Sequence, residues 1–189
     1  WAINGTPADC VKLGVSTLLE HRPDIVVSGI NHGSNTSVNA IYSGTVSAAT
    51  EGTLMGIPSM AVSLCDFDHS ADMSLAADVA EAVARRLLQL QLPQGTLLNV
   101  NVPAIPRHEF RGIRLARQGH NSWDDGYEVR RDPQGRPYYW LTGKFVTISR
   151  LDDADDALVG EGFAAVTPLH YELTNFDEYQ RLLSFGFEL

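Results

Sequence analysis

Residues 24–52 read DIVVSGINHGSNTSVNAIYSGTVSAATEG. Ile25, Val26 and Val27 form a short β-branched run of the kind that favours a buried strand. The run is expected to break at Ser28-Gly29 and give way to a polar loop rich in Asn, Ser and Gly. That loop closes on Tyr42-Ser43-Gly44-Thr45, and Val46 to Met55 reads as a helix of mostly small residues ending at Gly56. Strand, polar loop and helix start, in that order, direct unpaired backbone N–H groups and the positive end of the helix dipole at one spot, which suits an anion. The Ser43 and Thr45 hydroxyls can add donors, and Gly44 lets a ligand approach the backbone. An amide oxygen on Asn31 or Asn35 is a hard ligand suited to Mg²⁺ or Mn²⁺. The same residue types are also ordinary loop formers and helix caps. Composition alone therefore leaves a phosphate site and a plain connection both open.

Outward from this stretch, strands and helices alternate. Thr6-Pro7-Ala8-Asp9 is a helix start, with Thr6 as cap, Pro7 in the first turn and Asp9 favouring the dipole. The apolar stripe through Cys10, Val11, Leu13 and Leu18 stops by His21-Arg22-Pro23. Pro58 to Leu64 reads as a strand, Ser70 to Gln91 as a long amphipathic helix, and Thr96 to Val102 as another strand. This alternation implies a parallel sheet with right-handed crossovers, and ligands in such sheets sit beyond the carboxyl ends of the strands. Asn31 and Asn101 both fall at or near strand ends. After Pro106 the pattern changes. Arg111 to Gln118 suggests a strand of alternating polarity. Tyr127 to Arg131 and Tyr138 to Leu141 suggest a hairpin turning at Asp132-Pro133-Gln134-Gly135. Phe163 to Val166 should rejoin the sheet, and Phe176 to Phe185 should form a last amphipathic helix.

Fourteen Lys and Arg stand against 23 Asp and Glu, a net charge of −9. That balance argues against binding a nucleic-acid polymer or a membrane surface. An acidic protein that handles phosphate must neutralise it locally, by a cation or by oriented N–H groups. Cys10 and Cys65 lie in apolar surroundings and read as free thiols of a reducing compartment. With no run of membrane-spanning length and no signal peptide in view, a cytoplasmic protein is expected.

SGIN-x-G-x-N followed by YSGTV-x-AA-x-EG resembles the signature of the survival protein E (SurE) family. GTPADCV at 5–11, RPDIVVSGIN at 22–31, GIPSMAVSL at 56–64, LNVNVP at 98–103 and TPLHYELT at 167–174 extend the resemblance over nearly the whole chain, in the family's order. The resemblance implies a three-layer, Rossmann-like α/β fold with a mostly parallel sheet, helices on both faces, a protruding hairpin arm and a C-terminal helix. It implies a single domain at 1–189 lacking its N-terminal strand or strands. Within it, 1–110 and 163–175 form the core, 111–162 the oligomerisation arm and 176–189 the C-terminal helix. The implied activity is a divalent-metal-dependent phosphatase for nucleoside 5′- and 3′-monophosphates, with short polyphosphate a further substrate. The implied cofactor is Mg²⁺ or Mn²⁺, and the implied assembly a homodimer or homotetramer. Family members begin with a strand leading into Asn-Asp-Asp-Gly, whose two aspartates hold the metal with a later serine; this chain starts at Trp1, past those positions. Asn31 is then the expected metal ligand, and Asn35, Ser43, Gly44 and Thr45 the expected phosphate contacts. The general base stays unassigned. The alternative is a nucleotide- or phosphate-binding module without turnover, and a third reading is a structural oligomerisation piece.

Other groups carry less. Asp124-Asp125-Gly126 follows a polar stretch and reads as an exposed turn. The run Asp152, Asp153, Asp155, Asp156 lacks the closing glutamate of an EF-hand and reads as a solvated acidic loop. His32 reads as a bystander in its loop, and no HxxxH or HExxH spacing occurs. The G-x-S-x-G elbow and the GxxxxGK[ST] loop are absent, which disfavours serine-hydrolase and kinase chemistry.

Overall fold

The computed structural model describes residues 1–148 and 151–186; positions 149–150 of the expected arm and 187–189 of the expected last segment lie outside the described residues. Helix α1 (Pro7–Leu13) starts at a reciprocal cap, in which Asp9 N donates to Thr6 Oγ1 at 3.3 Å and Thr6 N donates to the Asp9 carboxylate at 2.9 Å. A π-helical turn over Gly14–Leu18 prolongs it. Strand β1 (Val26–His32) does not stop at Ser28-Gly29. A register irregularity between Ser28 and Asn31 absorbs the glycine, which sits at φ 125°, and pairing resumes at Asn31 and His32. Helix α2 (Gly44–Leu54), β2 (Ser59–Leu64), α3 (Ser74–Leu87) and β3 (Thr96–Val102) follow.

The main sheet runs β1-β2-β3-β7-β4, where β4 is Ile113–Leu115 and β7 is Ala164–His170. β1, β2 and β3 are mutually parallel; β7 lies antiparallel to β3 and parallel to β4. The central strands β2 and β3 are buried on both faces, and alternation along them divides the chemistry between the two. Met60, Val62, Leu64, Leu98, Val100 and Val102 face α3, whose Leu75, Ala76, Val79, Val83 and Leu87 recur at helical spacing. The opposite face carries smaller side chains. Ala61 and Leu97 meet Ala40, Val46 and Ala49 of α2 and the loop before it. Helix α4 (Asp155–Gly160) covers the far end of that face, with Leu158 against Phe163, Ala165 and Ala116.

Two regions depart from expectation. The acidic stretch at 152–156 is not a solvated loop: its second half is the first turn of α4, and Asp155 is fully buried. The hairpin is longer than its sequence signals, with β5 over Ser122–Arg131 and β6 over Pro137–Val146. Asp124 and Asp125 therefore lie on an exposed strand rather than in a turn. The turn itself is as expected, with Gly135 N donating to Asp132 O at 2.9 Å and the Asp132 carboxylate accepting from Gln134 N and Arg136 N. β5 and β6 form their own two-stranded sheet. Helix α5 (Phe176–Leu183) closes the described chain with no residue buried.

Candidate functional site

The parallel strands bring Asn31, Ser63 and Asn101 into register, one beside the next, at their carboxyl ends. Over this row lies the loop joining β1 to α2. Asn35 anchors it. Its backbone N donates to Asn101 Oδ1 at 2.8 Å, its Nδ2 donates to Ser63 Oγ at 2.7 Å, and its carbonyl accepts from Asn99 Nδ2 at 2.8 Å and Asn101 Nδ2 at 3.3 Å. All of these polar groups are buried, where an unpaired one would cost about 1–3 kcal/mol. The two asparagines of LNVNVP are thus the seat of the loop, a role the sequence did not reveal because their partner lies 64 to 66 positions upstream.

The loop is held a second time further on. Ser37 N donates to both oxygens of Asp155, at 3.1 and 3.0 Å, and Ser37 sits at φ 54°, a left-handed conformation uncommon outside glycine. Gly119 N and Asp156 N also donate to Asp155 Oδ1, at 3.0 and 2.9 Å. Burial pushes the Asp155 carboxyl above its ordinary range, while these backbone donors pull it back. A 3₁₀ turn over Ser37–Tyr42 then delivers the chain to α2.

At the start of α2, Ser43 is the N-cap and its Oγ accepts from Val46 N at 3.1 Å. The hydrogen bonds of Asn35 and Ser43 are therefore the loop's own. The amides of Gly44 and Thr45, the first two of the helix, have no acceptor among the described residues, and neither does the Thr45 hydroxyl. Those are the groups free for an anion. The space beside Gly44 where a Cβ would sit faces Pro7 Cγ at 3.2 Å, so the start of α1 lies against one side of this helix mouth.

Asn31 Nδ2 donates to Gly33 O at 2.9 Å, which fixes the amide and leaves Oδ1 with no partner among the described residues. That neutral oxygen fits one position in the shell of a hard divalent cation. The described residues contain no group of three His, Cys, Asp or Glu placed to complete such a shell. His32, next in sequence, stands edge-on to His69 with ring centroids 5.0 Å apart, and its buried Nδ1 has no partner among the described residues. Gly33 has φ 92°, and a Cβ there would fall 2.4 Å from the Phe67 ring, so this position requires glycine.

The family model described as survival protein SurE matches residues 1–125. The chain belongs to the SurE family. It is 46% identical over 181 residues to the 5′-nucleotidase SurE of Symbiobacterium thermophilum, covering 96% of this chain and 70% of that protein. It is 44% identical over 174 residues to the 5′-nucleotidase SurE of Christiangramia forsetii, covering 92% and 67%. Among solved structures, the SurE protein from Aquifex aeolicus superposes with a TM-score of 0.80 at 37% identity, over 97% of this chain and 74% of that one. The SurE signature at 28–52 thus falls on the end of β1, the doubly anchored loop and the mouth of α2.

Proposed function

We propose that this SurE-family chain hydrolyses nucleoside monophosphates, gripping the phosphoryl group between Asn31 and the start of α2. The observation that carries the reading is an uncommitted hard oxygen, Asn31 Oδ1, at the end of β1 and the uncommitted amides of Gly44 and Thr45 at the start of α2, the two ends of one anchored loop. The relatives named 5′-nucleotidase SurE supply the substrate class.

In this reading Gly44 N–H, Thr45 N–H and the Thr45 hydroxyl receive phosphoryl oxygens, where the helix dipole favours negative charge. Asn35 and Ser43 act from beneath, keeping those donors in place so that little reorganisation is needed as charge develops. Asn31 Oδ1 holds Mg²⁺ or Mn²⁺. When bound, such a cation polarises the phosphoryl group and lowers the pKa of a bound water. The donors take the phosphoryl group and leave sugar and base outside, which suits 5′- and 3′-monophosphates alike, and short polyphosphate as well. Two free cysteines fit a reducing cytoplasm, and among the described residues no helix is long and apolar enough to cross a membrane. The projecting β5–β6 hairpin serves as the arm of a homodimer or homotetramer.

Release of phosphate from a nucleoside monophosphate by the full-length protein, supported by Mn²⁺ or Mg²⁺ and stopped by EDTA, tests the reading. Asn31→Ala should abolish that turnover while leaving the circular dichroism spectrum and melting temperature unchanged. Wild-type rates in the variant would remove Asn31 from the site, and binding without release would leave a phosphate-binding module.

A further inference from the structure

We infer that Asp155 is a positioning residue for the phosphate-gripping loop, acting through Ser37 from α4; this rests on the function proposed above. A fully buried carboxylate surrounded by backbone donors is costly to build, and it occurs here with no ion pair among the described residues, its partners being the amides of three separate segments. Ser37 donates to both of its oxygens, Gly119 joins from the strand side of the arm's root, and Asp156 closes the set. Ser37 Oγ adds bonds to Asp155 Oδ1 at 3.4 Å and Asp156 Oδ1 at 3.1 Å, and Gln118 Nε2 donates to Ser37 O at 2.9 Å. The amide that Asp155 holds belongs to the loop's one non-glycine residue with left-handed backbone. That conformation is disfavoured for serine, so an external hold has to keep it.

The hold has a direction. Asn35 pins the front of the loop to β3, and Asp155 pins the segment that follows, so together they fix where the chain enters α2. Release of the second pin lets Ser37 relax toward ordinary backbone angles and shifts the helix mouth against the sheet. Asparagine keeps an oxygen for Gly119 N and Asp156 N but turns its Nδ2 toward the Ser37 amide that donates to Oδ2, so it weakens the hold on the loop in particular.

In the full-length protein, Asp155→Asn should raise KM for a nucleoside monophosphate roughly 10- to 100-fold, the scale of a small misplacement of binding groups. A merely structural lesion would instead lower the active fraction, and so the apparent kcat, at unchanged KM. Hydrogen exchange of the amides at 36–42 should speed up in the same variant. Adding Ser37→Gly should recover much of the KM, because glycine adopts the left-handed angles without help. Gly119→Ala is the companion should Asp155→Asn fail to fold. Its Cβ would fall 2.4 Å from Ser37 Oγ and 2.5 Å from Asp156 Oδ1, displacing the loop with Asp155 intact, and it should raise KM in the same way. Wild-type KM in Asp155→Asn, or in Gly119→Ala where the first does not fold, overturns the inference. So does failure of Ser37→Gly to rescue. A wild-type protein without phosphatase activity would sink the proposed function instead, and the exchange rates at 36–42 would then decide the role of Asp155 by themselves.

Discussion

Cys65 follows directly on β2, its backbone N donating to Val102 O at 2.8 Å, and burial pushes its thiol from an ordinary value of 9.0 up to about 12, with the Asp155 charge adding to the effect. A folded-state pKa above the unfolded one means that the folded protein holds this proton more tightly. The resulting stability is present in full below pH 9 and is lost as pH rises from about 9 to 12. Chemical denaturation across that window should show stability falling with pH, and Cys65→Ala should flatten the fall while leaving neutral-pH behaviour largely intact. An identical slope in the variant would mean that other groups carry it. In the sequence Cys65 reads as one more free thiol. Nothing in its neighbours discloses Asp155, whose charge acts on the thiol only once α4 has folded over the sheet.

Helix α2 lies close on the strands because the residues between them are small. A Cβ added at Gly52 would fall 2.5 Å from Ser59 Oγ and 2.8 Å from Val26 Cγ2. Gly52→Ala gains about 1 kcal/mol of helix propensity but forces an overpacked contact costing about 1–3 kcal/mol. The strand side chain cannot swing away, so the melting temperature should drop. Gly14→Ala supplies the contrast: its backbone is helical at φ −55°, and nothing lies within 4 Å of the added methyl. That variant should be more stable by about 0.4–1 kcal/mol. If both substitutions moved stability the same way, close packing would not be what spaces α2 from the sheet. The elements themselves were legible where periodicity was strong: α2, α3, β2 and β3 lie where apolar spacing and turn residues put them. β1 was read short because Ser28-Gly29 looks like a stop, whereas its bulge keeps the pairing going through partners on β2. Helix α4 was missed for a related reason. Four aspartates within five positions look solvated, and what buries Asp155 is a set of amides contributed from 36 and 118 positions away. The residues expected at a phosphate site stand close together in the sequence, but nothing in the sequence divides their labour. Only the hydrogen bonds separate Asn35 and Ser43, which hold the loop, from Gly44 and Thr45, whose amides stay free.

At the scale of the molecule the hairpin is the part without a home. A two-stranded ribbon is marginal in water by itself. Register pairs Tyr127 with Leu141 and Val129 with Tyr139, which puts four large side chains on one face, each more than half exposed. The other face pairs Glu128 with Trp140 and Arg130 with Tyr138. There Arg130 lies 5.0 Å from the Trp140 ring centroid and bridges Glu128 at 2.8 Å, a surface suited to solvent. The two faces thus differ in what they require, and only the first needs a cover. Each such side chain gains about 1.5–3 kcal/mol on full burial, enough in sum to hold two copies together once the costs of association are met. If two copies meet on this face, as proposed, the double substitution Tyr139→Ser with Leu141→Ser should lower the sedimentation coefficient toward that of a monomer at micromolar concentration. Glu128→Gln, on the opposite face, should leave it unchanged. Because the root of the arm shares the Asp155 clamp through Gly119, dissociation should also raise KM for the monophosphate. Monomers with wild-type KM would separate the two roles of that segment, and an unaltered sedimentation coefficient would take the arm out of the interface altogether.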